Sequence, residues 1–388
     1  ISSIAATGAM TFTPDITLPG ILSLTGGTIA FTNTPTVGGD LTLSGGNITF
    51  ADTVVLSNSS VLNLTGTTTT FASTIDGGGA LNLNGGSFSF GGNVGSGSSL
   101  ASFSLDSGSI ESWPSSITTQ GEISFTPSVA INEGLTCTLT GGAITFASSV
   151  DGQELILNGP SSFNAPVGAV ALANFSLASG SITTWPSSIS AKVLSFTPNV
   201  SIPESIPQGS SSNMYTLTGT TSITFNGTVE GPGNLTLNGG DIIFAGNVGD
   251  SSSLSSLLVA TGNVFTWPSI MEAGTMSFPS GITVTGDPIL TSTTSTTFTG
   301  TLDGTGSLTL NGNSGIITFN GAVGSNFALE NLQINSASSV AFASTLSGAS
   351  SVVIQGVSDT ISFDSAVGAS APLSSLLATS TNGPITFD

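Results

Sequence analysis

Histidine and arginine are absent from the 388 residues, Lys192 is the only side-chain cation, and Cys137 is the only thiol. Each absence removes a class of chemistry. Without imidazole there is no Ser-His-Asp or Cys-His nucleophile and no histidine zinc site. Without guanidinium there is no bidentate clamp for carboxylate or phosphate. A single lysine cannot neutralise a phosphate backbone or an anionic lipid surface, so nucleic acid is not an expected partner. No apolar run approaches the roughly eighteen residues of a membrane-spanning helix, so this segment is not expected to insert in a membrane. One cysteine excludes an intrachain disulfide and a cysteine metal cage. In Leu135-Thr-Cys137-Thr-Leu139 it takes the place that Leu22, Leu41, Leu62 and Leu81 hold in similar stretches, which is the position of a buried hydrophobe. No cofactor and no metal are expected.

Charge of either sign is scarce. The 21 acids give a formal net charge of -20, yet only 6% of residues are charged, against about 25% in ordinary globular chains. They are spread along the length and read as solvated surface charge that opposes side-by-side association. Disorder does not follow from this, because 38% of residues are hydrophobic and mean hydropathy is +0.40, enough apolar surface to bury. Nothing near Ile1 resembles a charged and then apolar leader, so any export signal is expected to have been removed or to lie outside this segment.

What the chain has is repetition. Phe90-Gly-Gly-Asn-Val94-Gly95 returns at Phe163 to Gly168, Phe244 to Gly249, Phe319 to Gly324 and Phe363 to Gly368. A shorter unit, Leu22-Ser-Leu24-Thr-Gly26-Gly27-Thr-Ile29-Ala-Phe31, recurs from Leu41, Leu81, Cys137 and Leu235. Apolar and small polar residues alternate within it, as in a half-buried strand. The spacing predicts strand, glycine turn, strand, with the paired glycines taking positive φ at a corner. Closing aromatics at Phe12, Phe31, Phe50, Phe71 and Phe90 lie 19, 19, 21 and 19 residues apart. That interval is one coil of an all-β parallel β-helix, a β-solenoid of about 19–23 residues per rung. About nineteen such rungs at the inter-strand spacing predict a rod on the order of 90 Å long. The competing arrangement is a meander of hairpins closed into a sandwich or barrel. The unbroken run of copies favours the solenoid, with the phenylalanines stacked inside.

A longer period lies over the first. Ile75-Asp76-Gly77, Val150-Asp151-Gly152, Val229-Glu230-Gly231 and Leu302-Asp303-Gly304 begin blocks 75, 79 and 73 residues apart. One continuous solenoid is therefore expected over 1–388, with blocks 1–74, 75–149, 150–228, 229–301 and 302–388. The opening stretch through Phe12-Thr-Pro14 matches Ser115 to Pro127, so the chain begins in mid-repeat and reads as a slice of a longer or processed protein. Exposed end rungs invite further strands, so end-to-end self-association or continuation of the chain is expected.

Candidate sites are few. Trp113-Pro114, Trp185-Pro186 and Trp267-Pro268 recur with the blocks; each reads as a corner, and Trp113, Trp185 and Trp267 are also the candidate contacts for a partner such as a glycan. The acids before glycine, Asp76, Asp151, Glu230 and Asp303, read as turn residues in preference to a ladder of cation ligands. Asp151 with Glu154, and Asp241 with Asp250, are the nearest carboxylate pairs. Residues three apart on a strand face opposite ways, so no catalytic pair is assigned. Two threonine runs, Thr67–Thr70 and 291–297, fall out of step with the repeat, which argues against an ordered hydroxyl array such as ice-binding solenoids carry.

Asp303-Gly-Thr-Gly-Ser-Leu308-Thr-Leu310-Asn-Gly312, followed by Ile317-Thr-Phe319-Asn-Gly-Ala-Val323-Gly324, resembles the repeats of large bacterial surface proteins similar to filamentous haemagglutinin. Gly141-Gly-Ala-Ile144 and the Phe-x-x-Asn at Phe90 and Phe244 are similar, as a second choice, to chlamydial polymorphic membrane proteins. The first resemblance implies a secreted or cell-surface β-helix, and neither supplies a catalytic residue. The expectation is a non-enzymatic extracellular rod, an adhesin stalk or filament segment. The alternative is a glycan- or receptor-binding passenger domain of a secreted adhesin.

Overall fold

A computed structural model describes residues 2–13, 15–18, 20–204 and 214–388; Pro14 of the opening match lies outside it. The described residues are all-β with no helix, and their parallel sheets stack as a β-solenoid of about 19 turns. No helix is therefore long and apolar enough to cross a membrane, a statement that does not bear on strands. Among the described residues every strand pairing is parallel, which rules out the hairpin arrangement. The chain divides into two compact units, Ile1–Pro186 and Ser187–Asp388.

In the first unit, Leu22–Phe31, Leu41–Phe50, Val61–Phe71 and Ala80–Phe90 lie one above another in register, Leu on Leu and Phe on Phe. Three-residue strands Ile16–Leu18, Pro35–Val37, Val54–Leu56 and Ile75–Gly77 form a second, shorter wall. In-register stacking of identical residues follows from the period of two, because a slip by one residue would turn every Leu and Phe to water. The rings of Phe12, Phe31, Phe50, Phe71 and Phe90 follow one another at centroid distances of 4.8, 5.0, 4.8 and 5.2 Å, stacked with nearly parallel planes. That is the strand spacing itself.

The paired glycines depart from the expected turn. Gly26, Gly27, Gly45 and Gly46 lie inside continuous ten-residue strands, and none of them has positive φ; in this series only Gly85 and Gly86 do. They mark a bend instead. Leu24 and Ile29 both point inward although five residues apart, so the alternation must change parity between them. At that bend the coils close on each other: a Cβ on Gly45 would stand 2.7 Å from Gly26 O, and one on Gly46 2.6 Å from Gly27 O. Close backbone approach, and not a left-handed corner, excludes side chains here.

The second unit repeats the plan in Ser188–Phe196, Tyr215–Phe225, Asn234–Phe244 and Ile270–Phe278. After Ile289–Phe298 the long strand splits into two ladders. One runs through Leu308–Asn311, Asn331–Ser336 and Ser351–Val357, the other through Ile316–Phe319, Ser339–Phe342 and Ile361–Phe363. Gly312 to Gly315, with Asn313 at φ +48°, separates them, so the expected strand–turn–strand unit occurs in these last coils. Not every phenylalanine is inside. Phe265, Phe327 and Phe387 are exposed: Val264 holds the inward place beside Phe265, and Phe327 lies in a loop outside the alternation.

Candidate functional site: carboxylate clamps and tryptophan corners

The acid that opens each block reaches across to the next coil and holds its loop by backbone N–H groups. Asp76 Oδ1 accepts hydrogen bonds from the N–H of Gly97 at 2.7 Å and of Ser98 at 3.2 Å. Asp151 Oδ1 accepts from Val170 N–H at 2.8 Å. Glu230 Oε2 accepts from Ser251 and Ser252 N–H at 3.1 and 2.9 Å. Asp303 is the most enclosed, accepting from Asn326 N–H at 2.9 Å and Phe327 N–H at 3.4 Å through Oδ1, and from Asn326 Nδ2 at 3.0 Å through Oδ2. Each loop follows a Val-Gly of the recurring Phe-x-x-x-Val-Gly motif, and the fifth copy substitutes Ser347, whose Oγ accepts from Ser370 N–H at 3.3 Å.

Two glycines make the clamp possible. The one after the acid has positive φ, +119° at Gly77, +107° at Gly231 and +148° at Gly304, and a Cβ there would overlap a carbonyl of the coil before it. Its N–H donates back to the held loop, Gly77 to Ser98 O at 3.0 Å and Gly231 to Ser252 O at 2.9 Å. The glycine of Val-Gly, Gly95, Gly249 or Gly324, also has positive φ and donates to the coil before it. Hydrogen bonds to a charged acceptor contribute about 1.5–3 kcal/mol each. The acids expected as turn residues thus lie at turns, but their carboxylates serve the neighbouring coil.

Asparagines brace the same corners. Asn93 Oδ1 accepts from Ser116 N–H at 3.1 Å, and Asn247 Oδ1 from Ile270 N–H at 3.2 Å. These are the asparagines of Phe-x-x-Asn-Val-Gly, a signal visible in the sequence whose role was not.

The three tryptophans are buried, at 4, 2 and 8% exposure for Trp113, Trp185 and Trp267, with Pro114, Pro186 and Pro268 buried beside them. Trp113 Nε1–H donates to Ala130 O at 2.8 Å and Trp267 Nε1–H to Thr283 O at 2.9 Å. Their rings pack at 40° on Phe125 and 43° on Phe278, beside Phe columns that run on as stacked rings. They stand at corners, as expected, and present no ring face for a sugar to stack on.

Carboxylate pairs do not converge. Asp151 turns to Val170 in the following coil while Glu154 accepts from Thr136 Oγ1 in the preceding one. Asp250 takes a hydrogen bond from Asn247 Nδ2 at 3.0 Å. Among the described residues no group of three or more Asp, Glu, Cys or His side chains comes together. Cys137 is buried, and desolvation pushes its thiol up to about 12, far from the thiolate a nucleophile needs. The arrangement holds backbone in place and offers no paired acid and base. Compared with family models, curated proteins and solved structures, the chain matches none.

Proposed function

We propose that this chain is a structural, non-enzymatic β-solenoid of the cell exterior, the stalk of an adhesin or a segment of a surface filament, in the manner of the bacterial surface proteins its repeats resemble. One observation carries the reading: the block-opening acids Asp76, Asp151, Glu230 and Asp303 accept backbone N–H groups of the next coil, so the recurrent charged groups are occupied in holding the stack. Composition adds to it. Lys192 leaves trypsin one side-chain cleavage point in the whole chain, a property suited to life among extracellular proteases.

Antibody labelling of intact producing cells tests this reading. Label on the outer surface without permeabilisation is expected, in filaments or stalks; label seen only after permeabilisation would overturn it.

A further inference from the structure

We propose that Asn226 is a self-modifying site, at which the folded chain converts its own side-chain amide to an acid. Asparagine is chemically labile, and most so before glycine, where no Cβ shields the next backbone nitrogen. That nitrogen bonds to the asparagine Cγ, the bond from Cγ to the amide nitrogen breaks, and ammonia leaves with the proton given up by the glycine N–H. Water then opens the succinimide ring. Opening at Cγ gives aspartate; opening at the backbone carbonyl gives isoaspartate, with the main chain rerouted through Cγ. One water is consumed and one ammonia released, so no oxidant or cofactor is required.

Asparagine precedes glycine at Asn84, Asn158, Asn226, Asn238, Asn311, Asn320 and Asn382, and the fold separates these seven. Attack needs a free carboxamide, a glycine N–H that is not already donating, and rotation about the asparagine Cα–C bond, which a paired strand resists. Asn84 Oδ1 accepts from Ser107 Oγ at 2.7 Å inside Ala80–Phe90. Asn158 Nδ2 donates to Thr140 Oγ1 at 3.3 Å and Gly159 N–H to Ser179 O at 3.1 Å. Asn238 and Gly239 lie inside Asn234–Phe244, paired with Thr218 and Gly219. Asn311 Oδ1 accepts from Asn335 Nδ2 at 3.0 Å, and Gly312 N–H donates to Ser336 O at 2.7 Å. Gly321 N–H donates to Phe298 O at 3.4 Å and Gly383 N–H to Ser380 Oγ at 3.2 Å. Asn226 is the exception. It stands exposed just past the end of Tyr215–Phe225. Its own N–H donates to Phe196 O at 2.8 Å, but among the described residues neither its carboxamide nor the Gly227 N–H makes a hydrogen bond. The joint beyond it is tight: a Cβ on Gly227 would stand 2.6 Å from Asn199 N, and one on Gly246 2.5 Å from Gly227 O. Thr228 N–H donates to Asn199 Oδ1 at 3.0 Å. An isoaspartyl link adds one main-chain atom at this close approach, so it displaces Gly227 and loosens Thr228 from Asn199.

The test ages the full chain in mildly alkaline buffer, folded in one sample and unfolded in guanidinium chloride in another, and maps peptic peptides by mass spectrometry with isoaspartate scored separately. In the folded sample acid is expected at position 226 at least about fivefold faster than at any of the other six, since each of those must first give up a hydrogen bond or a strand pairing. Asn382, whose glycine N–H is held only by a hydroxyl, should come second. In denaturant the preference should disappear. Folded chains carrying isoaspartate at 226 should exchange the Thr228 amide hydrogen faster than fresh chains. No acid at 226 in the folded sample, or faster reaction at another pair, would overturn the proposal. So would a preference for 226 that persists in denaturant, because it would then owe nothing to the fold, and an unchanged Thr228 amide would overturn the loosening. The site stands or falls separately from the surface location proposed above, since purified chain suffices.

Discussion

The Asp76 clamp of the first unit and the Asp303 clamp of the second share a backbone and differ in what they display. In both, an acid accepts two N–H groups of a loop one coil on, and the glycine after it has positive φ. The first shows water Gly97 and Ser98; the second shows Asn326 and Phe327. Acid, glycines and inward apolar residues are therefore fixed by the scaffold, while the outward residues of the held loop are free to meet a partner. A stacked repeat keeps its architecture by the first set and varies its surface by the second.

Substitutions can break the shared part or sharpen the difference. The largest effect is expected in the core, which both units build alike. Phe50→Ala in the first and Phe298→Ala in the second each remove a buried ring stacked on both sides, at a cost of about 3–5 kcal/mol. Hydrogen exchange should show protection lost in the coils around the substitution; equal loss throughout both units would contradict the local nature of the stacking. Next come Gly77→Ala and Gly304→Ala, which put a Cβ into a neighbouring carbonyl at positive φ and should cost about 1–3 kcal/mol or more. Gly8→Ala, with open space around it, is the matched control and should be nearly neutral in thermal unfolding.

Removing the clamp charge should cost somewhat less. Asp76→Asn and Asp303→Asn are expected to destabilise by about 1–3 kcal/mol, the second more than the first because Asp303 is buried and holds three donors. Urea midpoints would check the order, and Asp76→Asn proving the worse would reverse the comparison. The smallest effect belongs to the displayed residue: Ser98→Phe, which copies the second clamp's surface onto the first, should change stability by less than about 0.5 kcal/mol.

Cys137 reports on the dryness of the first unit's core. Burial raises its thiol from 9.0 to about 12, so at pH 8 iodoacetamide should label it only after unfolding. The sign of the pH effect follows. Between about pH 9 and 12 the unfolded chain has lost a proton that the folded one retains, so this thiol's contribution to stability declines as pH rises through that window. Rapid labelling of the native protein would show the core open to solvent.

The stacking was legible in the sequence because the aromatic period from Phe12 to Phe90 and the Leu-x-Leu alternation are direct consequences of it. The glycine pairs were legible only as glycines: a left-handed turn and a close approach of coils both demand the missing Cβ, and Gly26-Gly27 uses the second. The clamps were half visible. An acid before glycine once per block marked Asp76 and Asp303, but their partners lie 21 and 23 residues on, beyond any local pattern. Alternation alone puts Phe265 inside, whereas the bulge near it moves Val264 to the inward position, a parity change that residue type does not reveal. Phe327 belongs to a loop, where alternation carries no information.

The central claim is that successive coils lie parallel and in register, and pairs of introduced cysteines test it most directly. In a Cys137→Ala background, Thr42→Cys with Asn63→Cys places two partly exposed side chains on paired positions of adjacent coils, within the Cα separation a disulfide needs. Ser23→Cys with Ala30→Cys sits on one continuous strand, and the two thiols would meet only if Leu22–Phe31 folded back as a hairpin. Oxidation of the first pair and not the second is the expected result. A disulfide joining positions 23 and 30, with none joining positions 42 and 63, would contradict the solenoid.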